Sequence, residues 1–98
     1  MSYADLLTAK RRLTILRYLE GALGYSMNLS LMKDALLGVG IKASTRTVSD
    51  DFDWLDSKKL IEKEVLEFGV IVAKITMYGQ DVAKGLEICD GVTRPSPD

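Results

Sequence analysis

Side chains capable of metal or covalent chemistry are scarce in this 98-residue sequence. It contains no histidine and a single cysteine, Cys89. Common zinc sites need several Cys or His ligands, and Ser-His-Asp or Cys-His catalysis needs a histidine, so the composition excludes these classes and an internal disulfide. Gly38-Val-Gly40 is too short for a phosphate-binding loop and lacks its spacing. We expect no metal and no cofactor.

Carboxylates are the remaining candidates for acid–base chemistry. Asp50, Asp53 and Asp56 recur at three-residue steps in a predicted helix. Acid–base catalysis needs paired carboxylates in a cleft, whereas this spacing is more simply that of a solvated helix face. We therefore predict that the protein is not an enzyme.

Residues 42–49 have side chains suited to reading DNA. In a helix-turn-helix, the first half of the second helix enters the major groove. Arginine can donate two hydrogen bonds to guanine, hydroxyl groups reach bases or phosphates, and the free N–H groups of a helix N-terminus bind phosphate. The predicted DNA-contacting residues are Lys42, Ser44, Thr45, Arg46, Thr47 and Ser49. The alternative is that Ser44 only caps the helix and the others form a solvated surface.

The charges argue both for and against DNA binding. The formal net charge is −1, whereas a basic excess is expected of a nucleic-acid binder. Residues 1–49 carry seven basic and three acidic side chains, and residues 50–98 carry six basic and eleven acidic ones. The four aspartates within residues 50–56 would repel phosphates, and at least Asp50 and Asp53 are expected on the exposed side. The first half could still present a local positive patch.

An alternation of helices and strands positions these residues. Apolar side chains at three- and four-residue steps predict helices, and two β-branched runs around Phe68-Gly69 predict a tight hairpin. The predicted elements are helices at about 4–20, 31–37 (capped by Ser30) and 45–57 (capped by Ser44), strands at 60–67 and 70–76, and a helix at 77–84.

This order predicts an α+β, mainly α, winged helix-turn-helix with three helices, a two-stranded wing and a short C-terminal helix. The predicted winged-helix domain spans residues 1–88, followed by an extended or disordered tail at residues 89–98. The alternative is an arbitrary small α+β domain.

Two surface features have competing interpretations. The densest basic cluster comprises Lys10, Arg11, Arg12 and Arg17. These side chains either contact the DNA backbone or form a solvated helix face, which is the favoured interpretation. Phe68 at the hairpin tip either anchors a protein partner or folds back onto the domain.

Several segments resemble a known group of proteins. Val48, Asp53-Trp54-Leu55 and Leu60-Ile61 resemble the passage from the third helix to the wing in small winged-helix proteins. Thr76–Gly85 and Gly91–Pro97 resemble the final helix and the ending of the small winged helix-turn-helix proteins of Mu-like prophages, often labelled as ArsR-type regulators. The resemblance implies a bacterial or phage origin and suggests DNA binding. Metal-sensing ArsR repressors use Cys or His clusters, which this chain lacks, so metal sensing is not carried over.

The sequence thus predicts a DNA-binding transcriptional regulator of phage or prophage type, with its third helix in the major groove of double-stranded DNA. The alternative is a winged-helix protein-interaction module of a phage programme, with a protein partner at the wing and no DNA binding.

Three apolar residues near the end of the chain are expected to pack on the first helix or on a second copy, so a homodimer is possible. They are Leu86, Ile88 and Val92. No apolar run approaches the roughly 18 residues of a membrane span, and the N-terminus lacks the pattern of a signal peptide. We expect a cytoplasmic protein of the bacterial host cell with no membrane partner.

Overall fold

Over residues 2–96, the computed structural model of the protein contains four helices and one three-stranded antiparallel sheet, so the fold is α+β and mainly helical. The helices are α1 (Tyr3–Gly21), α2 (Leu29–Gly38), α3 (Thr45–Ser57) and α4 (Met77–Ala83), and the strands are β1 (Ser26–Asn28), β2 (Ile61–Val65) and β3 (Ile71–Ile75). None of the helices in this described part of the chain has the length and apolar character needed to cross a membrane.

A polar side chain starts each helix by accepting a backbone hydrogen bond from the first turn. Ser44 caps α3, as predicted, and Thr76 caps α4. The predicted cap of α2, Ser30, is wrong, because Asn28 Oδ1 accepts the Leu31 N–H at 2.7 Å. Asparagine in extended backbone satisfies a first-turn donor just as serine does, so α2 begins two residues earlier than predicted.

The sheet has one strand more than the sequence predicts. The segment expected to be only a connector contains β1, which pairs with β3 through Met27 opposite Ala73. Strand β2 pairs with the other edge of β3, which gives the spatial order β1-β3-β2. The predicted two-stranded arrangement is therefore a three-stranded sheet.

The connection between β2 and β3 is longer than the predicted two-residue turn. Strand β2 ends at Val65 and strand β3 begins at Ile71. Between them, the Leu66 N–H donates to Val70 O at 2.7 Å. Phe68 and Gly69 both have left-handed backbone, with φ of 61° and 75°. Positive φ at two successive central residues matches the right-handed twist of the flanking strands, so the chain still reverses at the predicted position.

The core lies where α1, α2, α3 and the inner face of the sheet meet. Its largest fully buried side chains are Phe52, Ile15, Leu16, Leu19, Met32, Leu36, Leu55, Leu60, Ile61 and Val48. The segment that follows α4 also packs on this core. Val92 is buried and the Thr93 N–H donates to Ala9 O at 3.2 Å. Within the predicted tail, residues 91–93 are thus held against α1, while residues 97 and 98 lie outside the described residues.

Candidate nucleic-acid interface

The predicted DNA-contacting residues lie together around the start of α3. Lys42, Ser44, Thr45 and Arg46 are exposed, whereas Thr47 and Ser49 are half-buried. Ser44 Oγ accepts the Thr47 N–H at 3.0 Å and also lies 3.0 Å from Thr47 Oγ1, so both hydroxyls are engaged in the helix cap. Arg46, in contrast, has no hydrogen-bond or ion-pair partner within residues 2–96 and points away from the core.

The helical period of α3 separates its buried and exposed faces. Val48, Phe52 and Leu55 follow each other at steps of four and three and are fully buried. With 3.6 residues per turn, Arg46 and Asp50 therefore lie on the opposite, exposed face. A ligand approaching this face meets the arginine in the first turn and the aspartate one turn later.

The acidic charge of α3 is largely compensated inside the molecule. The Asp51 side chain is only 3% exposed and binds the guanidinium of Arg11 through both oxygens, with Arg11 Nη2 3.0 Å from Asp51 Oδ1. Arg12 Nε lies 3.7 Å from the same oxygen. Desolvation lowers the pKa of Arg12, and the nearby Asp51 carboxylate opposes that shift. An arginine stays protonated at neutral pH despite such a shift, so the cluster keeps its opposite charges.

Two further aspartates of α3 are engaged by the neighbouring strand. Lys63 Nζ contacts Asp53 Oδ1 at 2.5 Å, and the Lys63 N–H donates to Asp56 Oδ1 at 3.1 Å. Of the four aspartates on α3, Asp50 alone lacks an ion-pair or hydrogen-bond partner within residues 2–96. The acidity that the sequence displays in residues 50–56 is thus reduced to two carboxylates without an ion pair, Asp50 on the outer face and Asp56, whose partner is a neutral N–H group.

The favoured interpretation of the α1 cations as a solvated face is wrong for two of the four. Arg11 and Arg12 are half-buried and join α1 to α3 through Asp51. The Arg12 guanidinium also stacks over the Trp54 ring, 3.8 Å from its centroid, and donates to Gly91 O at 3.1 Å. These two arginines are therefore internal partners, whereas Lys10 and Arg17 remain exposed.

Lys33 is a residue of this surface that the sequence analysis missed. Its Nζ lies 3.4 Å from Thr45 Oγ1, which places an ammonium group beside the start of α3. Lys33 and Thr45 line a cavity of about 450 Å³ between the start of α2 and the hairpin, together with Ser30 and Val70. The sequence signal for Lys33 is its position on the polar face of the short second helix.

The tip of the β2–β3 hairpin is apolar and acidic. Phe68 is fully exposed, at 101% of its reference area, so it does not fold back onto the domain. The apolar side chains around it, Val65, Leu66 and Val70, are also exposed, as is Glu67. This chemistry suits a protein surface better than a phosphate backbone.

A second groove runs between α1 and the turn that joins α2 to α3. We call it the α1 groove. It has a volume of about 560 Å³ and is lined by Tyr3, Leu7, Lys10, Arg11, Thr14, Arg17, Val39, Gly40, Ile41 and Lys42. Among the described residues, no acidic side chain lines it. Its walls are apolar and its rim is basic, whereas the charged side chain at the hairpin tip is acidic.

Comparison with known proteins gives the chain a family. No family model matches it. The chain is 40% identical over 93 residues to the uncharacterized protein gp26 of Escherichia phage Mu, covering 95% of both proteins. It is also 38% identical over 76 residues to an uncharacterized protein of Haemophilus influenzae, covering 78% of this chain and 74% of that protein. The chain therefore belongs to the family of small phage-related proteins that includes gp26 of Escherichia phage Mu.

Proposed function

We propose that the protein is a winged helix-turn-helix DNA-binding protein that regulates transcription in a phage or prophage gene programme, in the cytoplasm of the bacterial host. The element order α1-β1-α2-α3-β2-β3 supports this fold assignment, with α2 and α3 as the helix-turn-helix and β2–β3 as the wing. The turn between α2 and α3 contains Gly40 with φ of +84°, a conformation that glycine adopts without strain. Membership of a phage family supports the biological setting.

In this proposal, the first half of α3 enters the major groove. Arg46 contacts a base edge, because it is exposed and has no partner within residues 2–96. Lys42 and Lys33 flank the start of α3 and contact phosphates. Thr45 and Ser49 supply hydroxyl groups, while Ser44 and Thr47 keep the helix N-terminus ordered so that its N–H groups face the backbone.

The observation that carries the proposal is the internal compensation of the α3 aspartates. Four carboxylates beside the groove would repel DNA strongly at low salt. Arg11 and Lys63 pair with two of them, Asp51 and Asp53, so the repulsive charge of α3 is smaller than the sequence indicates. Three cations near the start of α3, Lys33, Lys42 and Arg46, then outnumber the two nearby exposed carboxylates, Asp34 and Asp50.

Replacing Arg46 tests the proposal. We expect the wild-type protein to bind mixed-sequence duplex DNA at low salt, with an affinity that falls steeply as salt rises, because phosphate contacts release counterions. Arg46→Ala should weaken binding about tenfold, since a well-placed arginine contact contributes about 1–3 kcal/mol. The measurement is fluorescence anisotropy of labelled duplex across a salt series.

Lys84→Ala is the matched control for Arg46→Ala. It removes the same charge from the end of α4, where Lys84 Nζ lies 3.7 Å from Glu20 and away from α3. We expect its affinity to stay close to that of the wild type. Equal losses in both variants would mean that net charge alone determines binding, and the proposed groove contact would be wrong.

A protein-interaction module without DNA binding is the second candidate function. The fully exposed Phe68 on an acidic, apolar hairpin tip favours it, because exposed aromatic residues are typical interface anchors. This alternative predicts that neither the wild type nor any variant binds duplex DNA, even at the lowest salt of the series.

A further inference from the structure

The hairpin tip, residues 64–70, presents exposed apolar and acidic side chains. Phe68 is fully exposed, so its ring contributes nothing to the core, and its φ of 61° is unfavourable for a bulky residue. An exposed aromatic ring held in strained backbone is typical of a functional contact. Glu64 and Glu67 are exposed on the same segment, which has no basic residue.

The α1 groove has the complementary chemistry. Tyr3, Leu7 and Val39 are exposed apolar side chains along its walls, and a cavity of about 560 Å³ accommodates a phenylalanine side chain. Lys10, Arg17 and Lys42 surround the cavity, while Arg11 is neutralised by Asp51. A phosphate backbone would pair with the cations but would leave the apolar walls unfilled. An apolar group flanked by carboxylates would fill the space between the apolar walls and pair with the cations.

We propose that the occupant of the α1 groove is the hairpin tip of a second copy of this chain, with Phe68 inserted between the apolar walls. Glu64 and Glu67 of the inserted tip then face the cations at the rim of the groove. Opposite charges across the contact set its orientation and favour encounter. Two hairpin tips facing each other would instead bring their glutamates together, so a tip-to-tip dimer is disfavoured.

The two contact surfaces lie on different parts of one chain. Each copy therefore offers one tip and one groove, so two copies can exchange tips reciprocally as a two-fold dimer, or copies can join head-to-tail. The reciprocal dimer is closed, whereas head-to-tail contacts extend into a ring or an open chain of copies. The assembly forms without DNA, so it does not depend on the proposed function.

Two variants, each with one surface removed, test the assembly. Phe68→Ser removes the aromatic side chain of the hairpin tip and leaves the α1 groove intact. Lys10→Glu combined with Arg17→Glu removes the basic rim of the groove and keeps the tip. Both sets of positions are exposed, so the fold is retained. The readout is sedimentation velocity without DNA from about 1 µM to about 1 mM, a range that captures weak association.

We expect the wild type to form a dimer or a larger species as its concentration rises. Each variant alone should remain monomeric, with association weakened at least about tenfold, because an inserted aromatic anchor dominates such a contact. Mixing the two variants should produce a dimer that grows no further, since only one intact tip and one intact groove remain. Lys59→Glu with Lys74→Glu reverses two exposed charges that do not line the α1 groove and should assemble like the wild type.

Three outcomes would overturn the proposal. The first is a wild type that is monomeric over the whole concentration range. The second is a mixture of the two variants that fails to associate, because one intact tip and one intact groove would then not suffice for the contact. The third is loss of assembly in the Lys59→Glu/Lys74→Glu control, which would mean that net charge rather than the α1 groove governs association.

Discussion

Replacing Gly79 by alanine is expected to lower the free energy of unfolding by about 3 kcal/mol or more, although alanine is the better helix former. Gly79 lies in α4 and rests on the backbone before β2. A Cβ atom at this position would lie 2.1 Å from Leu60 O and 2.7 Å from Ile75 Cγ1. The carbonyl of Leu60 is itself held by the Thr76 N–H at 3.1 Å, so it has little room to move. The steric conflict therefore outweighs the gain of about 1 kcal/mol in helix propensity.

Urea unfolding followed by circular dichroism measures this effect. Gly21→Ala is the matched control, because Gly21 is also helical and an added Cβ would meet nothing within 4 Å. We expect the control to be as stable as the wild type or slightly more stable. A Gly79→Ala protein with wild-type stability would mean that α4 does not approach Leu60 this closely.

Replacing Asp51 by alanine is expected to cost about 3 kcal/mol of stability, because removing one member of a buried ion pair leaves its partner desolvated and unpaired. Asp51 joins two arginines of α1 to α3, and all three side chains are less than one-fifth exposed. Solvent therefore screens this cluster only weakly. Without Asp51, Arg11 and Arg12 would repel each other and Arg12 would keep only its contacts with Trp54 and Gly91.

Asp50→Ala provides the comparison, since Asp50 is exposed on the same helix and has no ion-pair partner within residues 2–96. Its effect on stability should stay within about 0.5 kcal/mol. Equilibrium unfolding monitored through Trp54, the one tryptophan of the sequence, measures both variants. If the two substitutions had equal effects, the α1–α3 ion cluster would not contribute to folding.

Local patterns predict the helices of this protein well. The bounds of α3 and its Ser44 cap match the prediction because a strong apolar period and a capping residue are both encoded within about one dozen positions. Strand β1 escaped prediction because three residues carry no periodicity of their own. Their strand character comes from pairing with β3, which lies far along the chain.

The same distinction applies to the candidate site. The position of Arg46 on the outer face of α3 follows from helical spacing alone. The partner of Asp51 does not follow from local spacing, because Arg11 is 40 residues away in the sequence. Only the packing of α1 on α3 brings the two side chains together. An acidic run that appears solvated in the sequence thus has two of its four carboxylates paired with cations in the fold, and this changes the electrostatic argument about DNA.

The most direct test of the DNA-binding account is a titration of the isotope-labelled protein with a short duplex, followed by backbone amide chemical shifts in NMR spectra at low salt. The account predicts the largest shifts at residues 42–49 and at Lys33, with little change at the hairpin tip, where Glu67 and Phe68 disfavour phosphate contact. Shifts confined to residues 64–70, or no shifts at all, would contradict the account and favour a protein-interaction module.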